Sequence, residues 1–386
     1  MLKDELNILI RKVVRSAFHV FYILPIKKNR ILFESYYGKA YSCNPKYISE
    51  YLYNADKSKY ELIWIFIEPE KYENIEGIKA VKRNSFGHFF YRFTTKIIIS
   101  NMTDEVYFPK RKQQVVINTW HAGGAYKRVG LSYEPTHSKA TEWQDNILRN
   151  ETSYYLSSSE LFTKYNIREA YNYEGEVLET GLPRNDLFFD AEKTALIGQK
   201  VRDYFNIQDK VVVLYAPTYR GDFARANAVK EILPYDMVIH AIENKYKKKV
   251  VILNRSHYAD LNQYGVDNAF VLNATSYPDM QELLAATDVL ITDYSSSIWD
   301  FALLGRPCVL YVPDYDQYIG DRGTYTAIET WPGKIAKNTS ELLKIIEQLT
   351  GEECRHQAQE HLRMFNSYEK GQACQLVSEK IKEVTA

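Results

Sequence analysis

The chain has 386 residues, 45% of them hydrophobic, and its 49 Lys and Arg balance its 49 Asp and Glu to a net charge of zero. At about 150 residues per domain that is room for two or three domains with ample cores, which excludes a disordered chain. The absence of any basic excess argues against a nucleic-acid partner. Cys43, Cys308, Cys354 and Cys374 form no CxxC pair and no His/Cys cluster. That argues against structural zinc and a disulfide framework, and fits a reducing cytoplasm. Tyr is over-used, at 32 residues; it suits half-wet surfaces but names no function by itself.

In chain order, the first feature is a basic amphipathic segment. Leu2, Leu6, Leu9, Ile10, Val13, Ala17, Val20, Phe21 and Leu24 share one side of a helix, and Lys3, Asp4, Asn7, Arg11, Arg15 and His19 the other. The apolar run Ala17–Ile26 is interrupted by His19 and Pro25, too short for the roughly 20 residues that a spanning helix needs. Seven Lys or Arg stand against two carboxylates in residues 1–30, a local net charge of +5 on a neutral protein. Such a helix suits the headgroup plane of an anionic membrane; the plainer alternative packs its apolar stripe on the domain behind it.

Short apolar runs then alternate with helical stretches. The pattern predicts strands at Ile31–Glu34, Glu61–Ile67, Lys96–Ser100, Val115–Thr119, Val177–Glu179, Val211–Tyr215, Val250–Asn254, Val289–Thr292 and Cys308–Val312. It predicts helices at Asn44–Asn54, Ser85–Phe93, Ala191–Phe205, Tyr235–Tyr246, Met280–Ala286, Ser297–Leu304 and Glu341–Leu349. Alternation of this kind means α/β architecture with parallel sheets covered on both faces. The polar stretch 202–210 suggests a division into residues 1–28 (amphipathic helix), 29–205 and 206–350 (two doubly wound domains) and 351–386 (helical, packed on one of them).

Ligands bind such sheets at the carboxyl ends of strands, near points where the strand order reverses. Each unusual polar cluster here follows a strand. Trp120-His121 precedes Gly123, Gly124 and Lys127; a strand-end histidine suits base chemistry and glycines permit close approach of a backbone, although a backbone-satisfied histidine is the bland reading. Gly181-Leu-Pro-Arg184-Asn-Asp186 is a turn carrying one arginine, or simply an Arg–Asp surface turn. Pro217-Thr218-Tyr-Arg220 and Asn254-Arg255-Ser-His257 close two further strands, and Arg255 and His257, two apart on extended chain, can reach one anion. Asp293-Tyr-Ser295-Ser296-Ser297 opens a helix whose N–H groups and hydroxyls suit a phosphate, with Asp300 one turn in; serines that merely cap the helix are the alternative. No GxGxxG follows the first strand and no Walker A is present. Nothing in the sequence demands a metal, although Mg²⁺ carried on a diphosphate would be compatible.

TWHAGGAYKRVG, GLPRND, YAPTYR, LNRSH and TDYSSSIWDFALLGRPCVLYVPDYDQY occur in the order and approximate spacing of the CDP-glycerol glycerophosphotransferase family, and the resemblance covers roughly residues 30–345. It implies a GT-B-like fold with the active site in a cleft between two Rossmann-type domains, the first acceptor-side and the second binding the CDP-polyol. It implies a monotopic enzyme on the cytoplasmic membrane face, acting on a lipid-linked teichoic-acid or capsule precursor. His121 resembles the proposed base and His257 its partner near the diphosphate. Arg184, Pro217, Thr218, Arg255, Ser295, Ser296 and Asp300 look like donor-holding residues, with Trp120, Gly123, Gly124 and Lys127 beside them. Many glycerol-transferring members read WHGTP-L-K where this chain has WHAGGAYK, a variant similar to members handling ribitol phosphate or a distinct acceptor. The same fold also suits a nucleotide-sugar glycosyltransferase, or a membrane-docked nucleotide-binding protein without turnover.

Overall fold

The computed structural model describes residues 2–102, 106–133, 138–218, 233–255 and 268–386. It divides into two compact units: Met1–His121, Val129–Asp186 and Tyr368–Ala386 form the first, Ala122–Arg128 and Leu187–Ser367 the second.

The first unit contains α1 (Leu2–Ala17), β1 (Lys27–Glu34), α2 (Cys43–Ala55), β2 (Glu61–Phe66), β3 (Ile78–Lys82), α3 (Phe86–Thr94), β4 (Thr95–Ser100), β5 (Val115–Asn118), α4 (Lys139–Glu151), β6 (Tyr154–Leu156), the short α5 (Glu160–Phe162) and β7 (Glu176–Leu178). The strands form one parallel sheet in the order β3-β2-β1-β4-β5-β6-β7. Its central strands are apolar on both faces, as a sheet covered twice must be. Strand alternation sends Ile31, Phe33, Trp64, Phe66, Ile97 and Ile99 to one core and Leu32, Ile63, Ile65 and Ile98 to the other.

The second unit contains α6 (Ala191–Phe205), β8 (Val211–Ala216), α7 (Tyr235–Tyr246), β9 (Val250–Asn254), β10 (Val271–Asn273), α8 (Met280–Ala286), β11 (Val289–Thr292), α9 (Ser297–Ala302), β12 (Cys308–Tyr311), α10 (Tyr315–Asp321), β13 (Lys334–Ala336), α11 (Thr339–Gln348) and α12 (Gly351–Met364). Its parallel sheet runs β10-β9-β8-β11-β12-β13. The last helix, α13 (Ala373–Thr385), returns to the first unit, where Val377 and Ile381 join the core with Ile48 and Leu52 of α2.

The junction falls at 186/187, where the sequence suggested 205/206. Helix α6 belongs to the second unit because its contacts are there. A Cβ on Gly198 would lie 2.9 Å from the Ala285 carbonyl of α8, and Arg202 donates to the Ala286 carbonyl and to Asp288 at 3.1 and 2.9 Å. The segment 351–386 is likewise shared, α12 in the second unit and α13 in the first. Strands β3, β6, β10 and β13 were not anticipated. They are three to five residues long, and all but β6 lie at sheet edges, where little apolar pattern is required.

Helix α1 packs on α4 through its polar side. Arg11 donates to Gln144 at 3.1 Å, and Arg15 to the Val106 carbonyl at 2.8 Å and to Glu151. Leu6, Leu9, Ile10, Val13 and Val20 are consequently 50–63% exposed, with Ile23 at 84% and Phe86 of α3 at 73%. Among the described residues no helix is long and apolar enough to cross a membrane.

Two histidines are buried and held neutral. Desolvation first, then Arg92 and Arg83, pushes His88 down to about 3; desolvation pushes His361 down to about 4. The unfolded chain, with histidines near 6.5, therefore binds protons that the folded chain refuses. Stability is full above pH 6.5 and falls as pH drops toward 4, by about 2 kcal/mol per histidine between pH 7 and pH 5. Urea unfolding at the two pH values checks this; equal stability would contradict it.

Candidate active site

In the first sheet the order reverses between β1 and β4, so the loops leaving their carboxyl ends diverge and open a crevice. Tyr36 follows β1, Asn101 follows β4, and Trp120 and His121 follow β5. The Nδ1 of His121 lies 2.9 Å from the Asn101 carbonyl oxygen. That oxygen can only accept, so Nδ1 carries the hydrogen, which in a neutral imidazole leaves the lone pair on Nε2. The half-buried ring stacks on Trp120, with centroids 4.7 Å apart, and Tyr36 stands 6.0 Å away.

The backbone around this ring is strained. Trp120 (φ +49°), Tyr36 (+48°), Tyr37 (+56°) and Cys43 (+60°) all occupy the left-handed region, each at about 1–3 kcal/mol. Buried amides hold it there. Asn118 Oδ1 accepts from Trp120 N–H at 2.9 Å, and Asn101 Oδ1 from Tyr36 N–H at 2.9 Å. Asn44 Nδ2 donates to the carbonyls of Thr119 and Trp120, both at 3.0 Å.

The GLPRND turn belongs to the same construction. Asn44 Oδ1 accepts from Arg184 N–H at 3.2 Å, and Arg184 Nη1 donates to the His121 carbonyl at 2.7 Å and to Cys43 Sγ at 3.2 Å. Arg184 is buried, with part of its guanidinium committed to the backbone of the histidine. Asn185 donates to Glu369, which also accepts from Leu182 N–H, and Asp186 caps the first N–H groups of α13 at 2.9 and 2.7 Å.

In the second sheet the reversal lies between β8 and β11. Pro217 and Thr218 leave β8, and the buried Asp293 leaves β11. The Asp293 carboxylate accepts from Thr218 N–H at 2.9 and 3.0 Å and from Tyr294 N–H at 2.6 Å. Half-exposed Ser295 and Ser296 come next in the chain. Ser296 makes no side-chain capping bond to the six-residue α9, whereas Ser295 Oγ accepts from the N–H and Oγ–H of Ser297 at 3.3 and 2.9 Å. Asp300 is buried and accepts from Gln281 at 3.2 Å. Half-buried Arg255, at the end of β9, donates to the Tyr277 carbonyl at 2.7 Å. His257 and Ser256, with Tyr219 and Arg220, lie outside the described residues.

The segment Ala122–Arg128 is part of the second unit. What stands against its glycines is aromatic: a Cβ on Gly123 would meet the Trp299 ring at 2.0 Å, and one on Gly124 the Tyr126 ring at 2.3 Å. Lys127, half-buried, forms a β-bridge with Thr324. Among the described residues no three His, Cys, Asp or Glu side chains group as a metal site.

The structure thus brings Trp120, His121 and Arg184 together in the first unit, and Pro217 and Thr218 with the Ser295–Ser297 turn in the second. Sequence reasoning passed over Asn44 and Asn101, and it quoted but gave no role to Asp293. Asn101 and Asp293 end apolar strands, the same signal that singled out His121; Asn44 lies inside a helix start and gives no such sign.

Comparison with known proteins bears on the family and the fold. The family model described as CDP-Glycerol:Poly(glycerophosphate) glycerophosphotransferase matches residues 16–383. The chain is 31% identical to the teichoic acid glycerol-phosphate transferase of Staphylococcus aureus, covering 99% of this chain and 100% of that protein. It is 30% identical to the teichoic acid poly(glycerol phosphate) polymerase of Bacillus subtilis over 89% of its own length, but spans only about half (47%) of that relative. The teichoic acid ribitol-phosphate primase of Bacillus spizizenii matches at 27% over 87% of this chain and 88% of its own length. The solved wall teichoic acid polymerase TagF superposes with a TM-score of 0.83 at 27% identity, over 100% of this chain and 97% of that one. The α/β, GT-B-like fold and the enzyme class expected from the motifs are borne out. The chain belongs to the CDP-glycerol:poly(glycerophosphate) glycerophosphotransferase family.

Proposed function

We propose that this chain transfers a polyol phosphate, glycerol or ribitol phosphate, from a CDP-polyol to a hydroxyl of a lipid-linked teichoic-acid or capsule precursor. The observation that carries the reading is the His121 ring, held by the Asn101 carbonyl with its lone pair on Nε2 at a sheet switch point. The acceptor oxygen attacks the β-phosphorus of the donor. His121 Nε2 takes the hydroxyl proton, the new O–P bond forms, and the bond to the α-phosphate breaks to release CMP. Thr218, Arg255, Ser295 and Ser296 hold the diphosphate, and Lys127 and His257 add positive charge or a proton to it. Asp300 and Pro217 shape the donor side. Arg184 serves this reaction by holding the His121 backbone, since its Nη1 is already on that carbonyl. Such transfer relies on positioning and electrostatics rather than covalent chemistry.

The precursor is lipid-linked, and α1 supplies the means of reaching it from the cytoplasmic face. Its outward Leu6, Leu9, Ile10, Val13 and Val20, continued by Ile23 and Phe86, form an apolar surface on a basic segment. The enzyme is peripheral to the membrane in this reading.

CMP release tests the chemistry, with CDP-glycerol and CDP-ribitol offered in turn alongside a membrane lipid extract. One donor is expected to be turned over, which also decides the polyol; turnover of a nucleotide sugar instead would overturn the reading. His121→Ala is expected to fold normally and lose about 10²–10⁴ in rate. Full activity in that variant would remove the base from the mechanism. For the membrane, Leu9→Glu with Val13→Glu removes two apolar contacts of about 1.5–3 kcal/mol each. Co-sedimentation with phosphatidylglycerol vesicles is expected to fall at least tenfold, with turnover of a detergent-dispersed acceptor retained; undiminished sedimentation would refute docking through α1.

A further inference from the structure

His361, on α12, is a buried titratable group that the reaction above does not use. Its Nδ1 lies 2.8 Å from the Thr330 carbonyl oxygen and its Nε2 2.9 Å from the Tyr126 hydroxyl. The carbonyl can only accept, so Nδ1–H donates to it and Nε2 accepts from Tyr126 O–H. Each hydrogen between the three groups is thereby assigned. Burial keeps the ring neutral, with its pKa pushed down to about 4. Burial, with the Asp300 charge, raises that of Tyr126 well above the ordinary range.

Tyr126 lies within the seven-residue segment that comes directly after His121 and joins the second unit. Its carbonyl accepts from Tyr325 N–H at 2.7 Å, the Ala125 carbonyl accepts from Thr326 Oγ at 3.2 Å, and the Arg128 carbonyl accepts from Arg322 Nε at 2.9 Å. The Tyr126 ring lies 4.4 Å from Trp331, which itself donates to Thr326. At the other end of the segment, Gly123 is seated on Trp299 of α9, whose ring stands 5.9 Å from His361.

We propose that His361 is a positioning residue: through the Tyr126 hydroxyl it fixes segment 122–128, and with it Gly123 and Lys127, beside α9, which carries Asp300 and follows Ser296. The proposal rests on the transferase reading for its activity readout, and a second readout is independent of it. A histidine that only filled space would be replaceable by any side chain of similar bulk. A positioning histidine needs an acceptor toward Tyr126 and a donor toward Thr330.

Tyr126→Phe keeps the ring and removes only the hydroxyl. It is expected to lower kcat/KM for the CDP-polyol by about 10- to 100-fold, and to speed amide hydrogen exchange in 122–128 and 322–326 at least tenfold. His361→Leu is expected to do the same, and His361→Gln, which supplies both an acceptor and a donor, to recover most of the loss. The double variant Tyr126→Phe/His361→Leu should be no worse than the poorer single one, because one bond is being removed twice. Wild-type activity and exchange in Tyr126→Phe, additive losses in the double variant, or equal losses in His361→Leu and His361→Gln would each overturn the proposal. Wild-type protein that releases CMP from neither donor counts against the transferase reading alone, and the exchange measurement then decides this one.

Discussion

Two parallel sheets each reverse their strand order once, and the residues proposed for the chemistry gather at those two reversals. A parallel sheet leaves the carboxyl ends of its strands on one edge, and where neighbouring connections diverge the edge cannot be covered. In the first unit the residues leaving β1, β4 and β5 meet there as Tyr36, Asn101 and His121. In the second, Thr218 and Asp293 meet in the same way at the ends of β8 and β11. One topological rule used twice supplies a fixed imidazole and a fixed serine turn.

Fixing the imidazole needs more than topology. Four non-glycine residues near it sit at positive φ, and a loop so strained would relax if solvent satisfied its carbonyls as well as the protein does. It is held because Asn44, Asn101, Asn118 and Arg184 supply buried partners at defined distances. Buried amide and guanidinium donors of this kind are expensive to leave unmatched, so they specify one backbone path rather than an ensemble. Arg184 illustrates the consequence: a motif arginine contributes by what it does to the histidine's own carbonyl.

Much of this was legible in the sequence. Continuous apolar runs such as those ending at Ser100, Asn254 and Thr292 marked central strands, because a strand covered on both faces must be apolar throughout. The polar clusters after them supplied the candidate site residues, and their order marked the family. What was not legible depended on partners remote in sequence. The stripe on α1 could be seen, but not that Gln144, Glu151 and the Val106 carbonyl would draw Arg11 and Arg15 inward and turn Leu9 and Val13 out. The glycine pair after His121 suggested room for a ligand, whereas Trp299 and Tyr126 stand against it, and neither neighbour can be inferred from spacing. Helix α6 was read to the residue, yet its allegiance to the second unit rests on Gly198 meeting α8, a contact that no local pattern encodes.

The hydrogen bond to the Asn101 carbonyl sets which nitrogen of His121 is basic, and the proposed mechanism stands on that assignment. Nitrogen-15 NMR of histidine-labelled protein, with His121 assigned by substitution, measures it directly. The expected result is a neutral ring protonated at Nδ1, with a shift at Nε2 characteristic of an unprotonated nitrogen. A ring protonated at Nε2 would contradict it, because the Asn101 carbonyl would then face a lone pair and the base would point the wrong way.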